Sequence, residues 1–70
     1  MLPELSPSLE IRQIHSSDLN DLIVYTVQKD GRDIAGLVRC PKQWILSFEQ
    51  GDPLTFSKAR QVVRFLNQLA

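Results

Sequence analysis

The pair Asp30-Gly31 follows a stretch of strand-like composition, and it constrains the fold more than any other feature of the sequence. Leu22–Gln28 precedes the pair and is rich in β-branched and aromatic residues, which favour strands. Asp-Gly is a preferred loop of a two-residue β-hairpin, because both of its positions take a positive φ. We therefore predict a tight antiparallel hairpin with Asp33–Arg39 as its second strand.

The loop also fixes the pairing of the two strands, because hairpin register follows from loop length. A regular hairpin places Tyr25 opposite Gly36 and Val24 opposite Leu37. A second turn is predicted at Cys40–Gln43, whose proline cannot donate a hydrogen bond to a strand ladder.

The third strand is predicted at Trp44–Glu49. Any even-length turn before it places Leu37 opposite Leu46 and Ala35 opposite Phe48. A small residue that faces a large one suits a filled core.

An edge strand and a helix complete the predicted fold. Leu9–His15 alternates at first and slips at Ile14, so we predict an edge strand with a bulge. Apolar residues at helical spacing predict a helix from about Phe56 to residue 69, with Thr55 or Ser57 as its N-cap.

The predicted fold class is α+β. An antiparallel meander of three strong strands and an N-terminal edge strand is packed on one face by a C-terminal amphipathic helix, in the order ββββα. Residues 1–8 hold two prolines and two serines and are predicted to form an extended N-terminal arm. Residues 9–70 form the single domain.

Because side chains alternate across a sheet, this register sorts the meander into two faces. The face assigned to the helix holds Val24, Ala35, Leu37, Trp44, Leu46 and Phe48. The other face holds six apolar residues: Ile23, Tyr25, Val27, Ile34, Val38 and Ile45. Such a patch is larger than monomers usually expose, so we predict a protein interface. Three covers remain open: the N-terminal arm, a second copy in a homodimer, or a different protein.

The composition limits the chemistry of the chain. With one cysteine, Cys40, and one histidine, His15, it has neither an internal disulfide nor a cysteine- or histidine-based metal site. No nucleophile or acid–base pair is expected to converge, so we predict no catalytic residues, no cofactor, no small-molecule substrate and no enzyme. The lone thiol and the lack of a signal-like or membrane-spanning stretch predict a cytoplasmic protein.

The C-terminal helix is basic although the chain is neutral, with eight basic and eight acidic residues. Its basic face, extended by the second turn, comprises Lys58, Arg60 and Arg64 with Arg39 and Lys42. Such a face is either solvated or contacts phosphates or an acidic protein. Arg39 opposite Trp44 also predicts a cross-strand cation–π pair.

Two functional hypotheses follow. The first is a small interaction or regulatory protein that binds a protein partner, or itself as a homodimer, through the apolar sheet face. The alternative is a nucleic-acid-binding module, for DNA or a single strand, that uses the basic helix face and the hairpin turns. A neutral net charge disfavours the alternative, because dedicated duplex-DNA binders are usually basic.

Overall fold

The structure, a computed structural model, describes residues 4–17, 19 and 21–70. One antiparallel sheet has the strand order β1-β2-β3-β4-β5, and a helix packs on one of its faces. The elements are β1 Leu9–Ser17, β2 Leu22–Lys29, β3 Arg32–Arg39, β4 Trp44–Phe48, β5 Leu54–Phe56 and α1 Ala59–Leu69. The predicted α+β class is confirmed, and β5 is an additional short strand. We call the side of the sheet under α1 the helix face and the opposite side the outer face.

Strand β5 corrects the predicted start of the helix near Phe56. Phe56 pairs with Trp44 in the sheet, so it is extended, and α1 begins only at Ala59. The glycine and proline before β5 end β4, and the chain then returns along the sheet edge before it turns into the helix.

The N-cap of α1 is Lys58, so the predicted caps Thr55 and Ser57 are wrong. A lysine side chain cannot accept a hydrogen bond, and Gln61 supplies the acceptor instead. Its Oε1 atom accepts from the backbone N–H of Ser57 and of Lys58 at 3.0 and 3.1 Å. These contacts satisfy backbone donors at the helix start, which have no partner within the helix.

The predicted bulge in β1 is confirmed at Ile14. Gln13 pairs with Tyr25 and His15 pairs with Val24, so Ile14 has no partner across the ladder. The strand continues two residues beyond its predicted end, to Ser17.

The hairpin loop between β2 and β3 is the predicted one. Asp30 and Gly31 have φ values of 52° and 83°, and Lys29 pairs with Arg32. Both loop residues therefore occupy the left-handed region that this turn requires.

A second bulge, at Ile34, changes the register beyond that loop. Gln28 pairs with Asp33 but Val27 pairs with Ala35, which leaves Ile34 without a partner. From Val27 and Ala35 onward, each residue of β2 pairs one residue further along β3 than in a regular hairpin. Because side chains alternate between faces, each side chain of β2 now shares a face with a different set of β3 side chains.

The register predicted for this hairpin is therefore wrong beyond the bulge. Tyr25 lies opposite Leu37 instead of Gly36, and Val24 lies opposite Val38 instead of Leu37. The predicted register of β3 with β4 is confirmed, with the pairs Leu37–Leu46 and Ala35–Phe48.

The core lies between the helix face and α1. It consists of Leu9, Val27, Leu37, Leu46, Val62 and Leu66. Val27, which the regular register assigns to the face away from the helix, is 0% exposed. Phe65 adds aromatic contacts, with ring centroids 5.7 Å from Phe56 and 6.2 Å from Phe48.

The described part of the N-terminal arm, residues 4–8, is fastened to the end of α1. The Asn67 side chain accepts a hydrogen bond from Ser6 N at 2.8 Å and donates one to the Glu4 carbonyl at 2.9 Å. Leu5 packs against the core. These residues therefore pack on the helix side, whereas residues 1–3 lie outside the described part of the chain.

The bulge at Ile34 is tested by charging each face of β2 in turn. We expect Val27→Lys to lower the free energy of unfolding by more than about 4 kcal/mol, because an ammonium group enters an apolar core. The matched variant Val24→Lys leaves its charge on the outer face, and we expect a loss below about 1 kcal/mol. Urea titration followed by circular dichroism measures both values. The opposite order of the two effects would support the regular register instead.

The docking of the arm is tested at Asn67. We expect Asn67→Ala to cost about 1–2 kcal/mol, because two hydrogen bonds across the sequence are lost. The variant should also speed amide hydrogen exchange at Ser6. Gln68→Ala, at the exposed next position, is the control. Equal behaviour of the two variants would mean that the Asn67 contacts do not hold the arm.

Candidate functional site

Helix α1 is too short to cover the helix face. Its eleven residues span about 16 Å, whereas the longest dimension of the molecule is 33 Å. The helix begins just after β5 and crosses the sheet, and its last turn meets the end of β2. There the carbonyl of Leu69 accepts a hydrogen bond from Lys29 Nζ at 2.8 Å.

The uncovered part of the helix face is an apolar cleft of about 150 Å³. We call it the aromatic cleft; it is lined by Ile11, Tyr25, Leu37, Trp44, Ala59, Val62 and Val63. Two walls come from the sheet and from one side of α1. The Tyr25 hydroxyl and the Trp44 indole N–H are the only polar groups among these side chains. An apolar cavity of this size can hold a benzene-sized group.

Three large side chains form one end of the cleft. The rings of Tyr25 and Trp44 are stacked, with centroids 6.0 Å apart and planes at 29°. The Arg39 guanidinium carbon lies 5.9 Å from the centre of the Trp44 ring, which confirms the predicted cation–π pair. Both aromatic residues are half-buried, so each keeps part of its surface in solvent.

The sheet positions these side chains through two cross-strand rows of the helix face. Tyr25 lies in the row of Leu37 and Leu46, and Trp44 lies beside Arg39 in the row of Ile23. The two rows are two residues apart along each strand, so they point to the same face. Tyr25 reaches this face only because of the bulge at Ile34.

The six residues predicted as a protein interface do not share a face, which corrects that grouping. Four of them lie on the helix face or pack against the core, and two lie on the outer face. The four are Ile23, Tyr25, Val27 and Ile34; the two are Val38 and Ile45. The cause is the bulge, which moves Tyr25 and Val27 to the opposite side of the sheet.

The outer face is consequently less apolar than predicted. One cross-strand row contains Val24, Val38 and Ile45, with His15 and Thr55 at its ends. The next outer row is polar or small: Arg12, Thr26, Gly36 and Ser47. The outer face is therefore partly polar, whereas the helix face is apolar under α1, as in an antiparallel sheet with one face in water.

The predicted basic residues are brought only partly together. Arg60 and Arg64 on α1 and the N-cap Lys58 are exposed. Arg39 lies over Trp44. Arg60 and Arg64 directly follow Ala59 and Val63, which line the cleft. Lys42 is exposed in the turn between β3 and β4.

Sequence reasoning missed the contribution of Ile11, Ala59 and Val63 to a cleft. Ala59 and Val63 belong to the apolar stripe of the helix, which the pattern assigns wholly to the core. The sequence feature that could have indicated the cleft is the width of this apolar stripe, because a short helix cannot bury all of a wide stripe against the sheet. In the structure only Val62 and Leu66 of α1 are buried.

A wider depression of about 510 Å³ lies over the far end of β3 and β4. It is shallow, and its lining includes the acidic residues Asp33 and Glu49. An open depression excludes little water, so we consider the smaller and more enclosed aromatic cleft the better candidate.

Two further observations concern residues 4–17, 19 and 21–70. Within them, no group of three or more His, Cys, Asp or Glu side chains is arranged to hold a metal ion. None of the helical segments in this part of the chain has the length and apolarity needed to cross a membrane.

We compared the chain with models of protein families, with curated proteins and with solved structures, and none of them matched.

A larger side chain at Ala59 tests whether the cleft is an apolar space with room for further atoms. We expect Ala59→Leu to raise the free energy of unfolding by about 1 kcal/mol, because the added carbons leave water for an apolar site. Gln68→Leu adds a leucine at an exposed helix position and is the control. Urea titration measures both changes. A destabilised Ala59→Leu variant would mean that the cleft lacks room for the side chain.

Proposed function

We propose that this protein is a small, non-enzymatic binding protein that recognises a protein partner through the aromatic cleft. The observation that carries the proposal is the cluster of Tyr25, Trp44 and Arg39 at the end of an apolar cleft. Tyrosine, tryptophan and arginine are the residue types that contribute most to binding energy at protein interfaces.

The geometry of the cluster supports this proposal. Arg39, Tyr25 and Trp44 stand on neighbouring rows of a hydrogen-bonded sheet, so the backbone fixes their spacing. The stacked rings restrict each other's motion before a partner arrives. A site that is already ordered loses less conformational entropy on binding.

A second copy of the chain is a poor occupant of this cleft. A symmetric dimer through the helix face would bring the cationic surface of one copy, with Arg39, Arg60 and Arg64, against the same surface of the other. Like charges at an interface oppose association. We therefore favour a different protein. The homodimer predicted through the six-residue apolar face stays a prediction, although only Val38 and Ile45 of those residues lie on the outer face.

A nucleic-acid partner is the second candidate. Four exposed cations favour it, because cations on one side of a protein can follow a phosphate backbone. They are Arg39, the N-cap Lys58, and Arg60 and Arg64 of α1. We propose a reducing, cytoplasmic setting for either function, supported by the single thiol of Cys40.

Panning a displayed library of random peptides on the purified protein tests the proposed function. We expect peptides whose binding is lost in Ala59→Leu, because the leucine occupies the cleft, and kept in Val38→Lys, which changes the outer face. Binding that instead survives Ala59→Leu and is lost in Val38→Lys would move the site to the outer face.

Filter binding to single- and double-stranded DNA at two salt concentrations tests the second candidate. If protein binding is the function, we expect weak DNA binding that changes little in the double variant Arg60→Glu, Arg64→Glu. Tight, salt-sensitive binding that this variant abolishes would favour nucleic acid instead.

A further inference from the structure

We propose that the partner segment is acidic and inserts an apolar side chain into the aromatic cleft. This inference rests on the proposed function and specifies the chemistry of the partner. It is carried by two properties of the helix face: the sign of its charges and the apolar lining of the cleft.

The sheet and helix separate the charges of a neutral chain by face. The charged residues of α1, of its N-cap and of the helix-face strand positions beside the helix are all cations: Lys29, Arg39, Lys58, Arg60 and Arg64. Helix α1 contains no acidic residue. The acidic residues within the strands, Glu10 and Asp33, both pair with Gln28 on the outer face.

This separation has a physical consequence for association. The net charge is zero, so the molecule as a whole does not attract anions. The cations beside the cleft are Arg39, which lies over Trp44, and Arg60 and Arg64, which adjoin cleft residues in sequence. The acidic Glu4 of the arm lies beside Asn67, near the opposite end of α1 from Ala59. Screening limits the reach of each charge to a Debye length, about 8 Å at physiological salt. A negatively charged segment is therefore oriented toward this face, and complementary charges increase the association rate.

The arginines are suited to a carboxylate partner. Arg60 and Arg64 are exposed and adjacent in sequence to the cleft residues Ala59 and Val63. Their guanidinium groups can each form two parallel hydrogen bonds with one carboxylate. An acidic residue next to the inserted side chain would thus lie beside these groups.

The cleft itself favours a peptide over a nucleobase. Its lining offers only the Tyr25 hydroxyl and the Trp44 indole N–H as side-chain polar groups. The edges of a base carry several donors and acceptors, which cost free energy when they are buried without partners. A leucine, isoleucine or phenylalanine side chain carries none, and it can fill the space of about 150 Å³.

Analysis of the peptides selected by the library tests this inference. We expect the cleft-dependent peptides, those lost in Ala59→Leu, to be enriched in Asp and Glu around one aliphatic or aromatic residue. Their affinity should fall as salt increases. Arg60→Glu should lower the affinity of these peptides about fivefold. The variant should still fold, because a glutamate is favourable in the first turn of a helix.

A control variant and a charge exchange separate local contacts from net charge. Arg12→Glu makes the same change on the outer face, and we expect a much smaller effect. Replacing one peptide glutamate by lysine should restore binding to the Arg60→Glu variant. The same peptide change should weaken binding to the unmodified protein. Both results together would support a direct contact between Arg60 and an acidic residue.

Each of the remaining outcomes contradicts a different statement. Cleft-dependent peptides without an acidic bias would overturn the acidic partner and leave the proposed function standing. A complete lack of cleft-dependent peptides would overturn both. A single-stranded oligonucleotide that binds the protein and is lost in Ala59→Leu would overturn the acidic peptide in favour of nucleic acid.

Discussion

The fold depends on one unpaired residue in the second hairpin. Because Ile34 has no partner, Val27 lies opposite Ala35 and points under the helix, where it is fully buried. In a regular ladder the same side chain would lie on the outer face, and Val24 would occupy the core. The bulge therefore selects which half of β2 is covered by α1, and it brings Tyr25 beside Trp44. The bulge at Ile34 therefore accounts both for the burial of Val27 and for the position of Tyr25 in the cleft.

The second constraint is the mismatch between a short helix and a five-stranded sheet. Val62 and Leu66 close the core over β2, β3 and β4, and Phe65 packs on Phe56 and Phe48. The other side of the helix, at Ala59 and Val63, faces the sheet across unfilled space. An apolar surface that folding leaves partly uncovered is available to a partner. In this protein it is bordered by an arginine stacked on tryptophan and by two further arginines.

The charge pattern shows that net charge is a poor guide to this surface. Eight cations and eight anions cancel in composition, yet alternation along the strands places Glu10 and Asp33 on the outer face. The acid-free helix and its N-cap, Lys58, add three cations to the helix face. Affinity for anions is a local property, because screening limits the range of charges to about a Debye length.

The sequence by itself determined the local features of this protein. Strand composition, the Asp30-Gly31 loop, the slip at Ile14 and the proline turn predict the sheet order and the register of β3 with β4. The sequence did not determine the bulge at Ile34, because that residue suits either face and only packing under the helix decides between registers. The short strand β5 also depends on pairing with β4, because three residues are too few to show the alternating pattern of a strand. The aromatic cleft and its cationic border required the tertiary structure, because they arise where elements distant in the sequence meet.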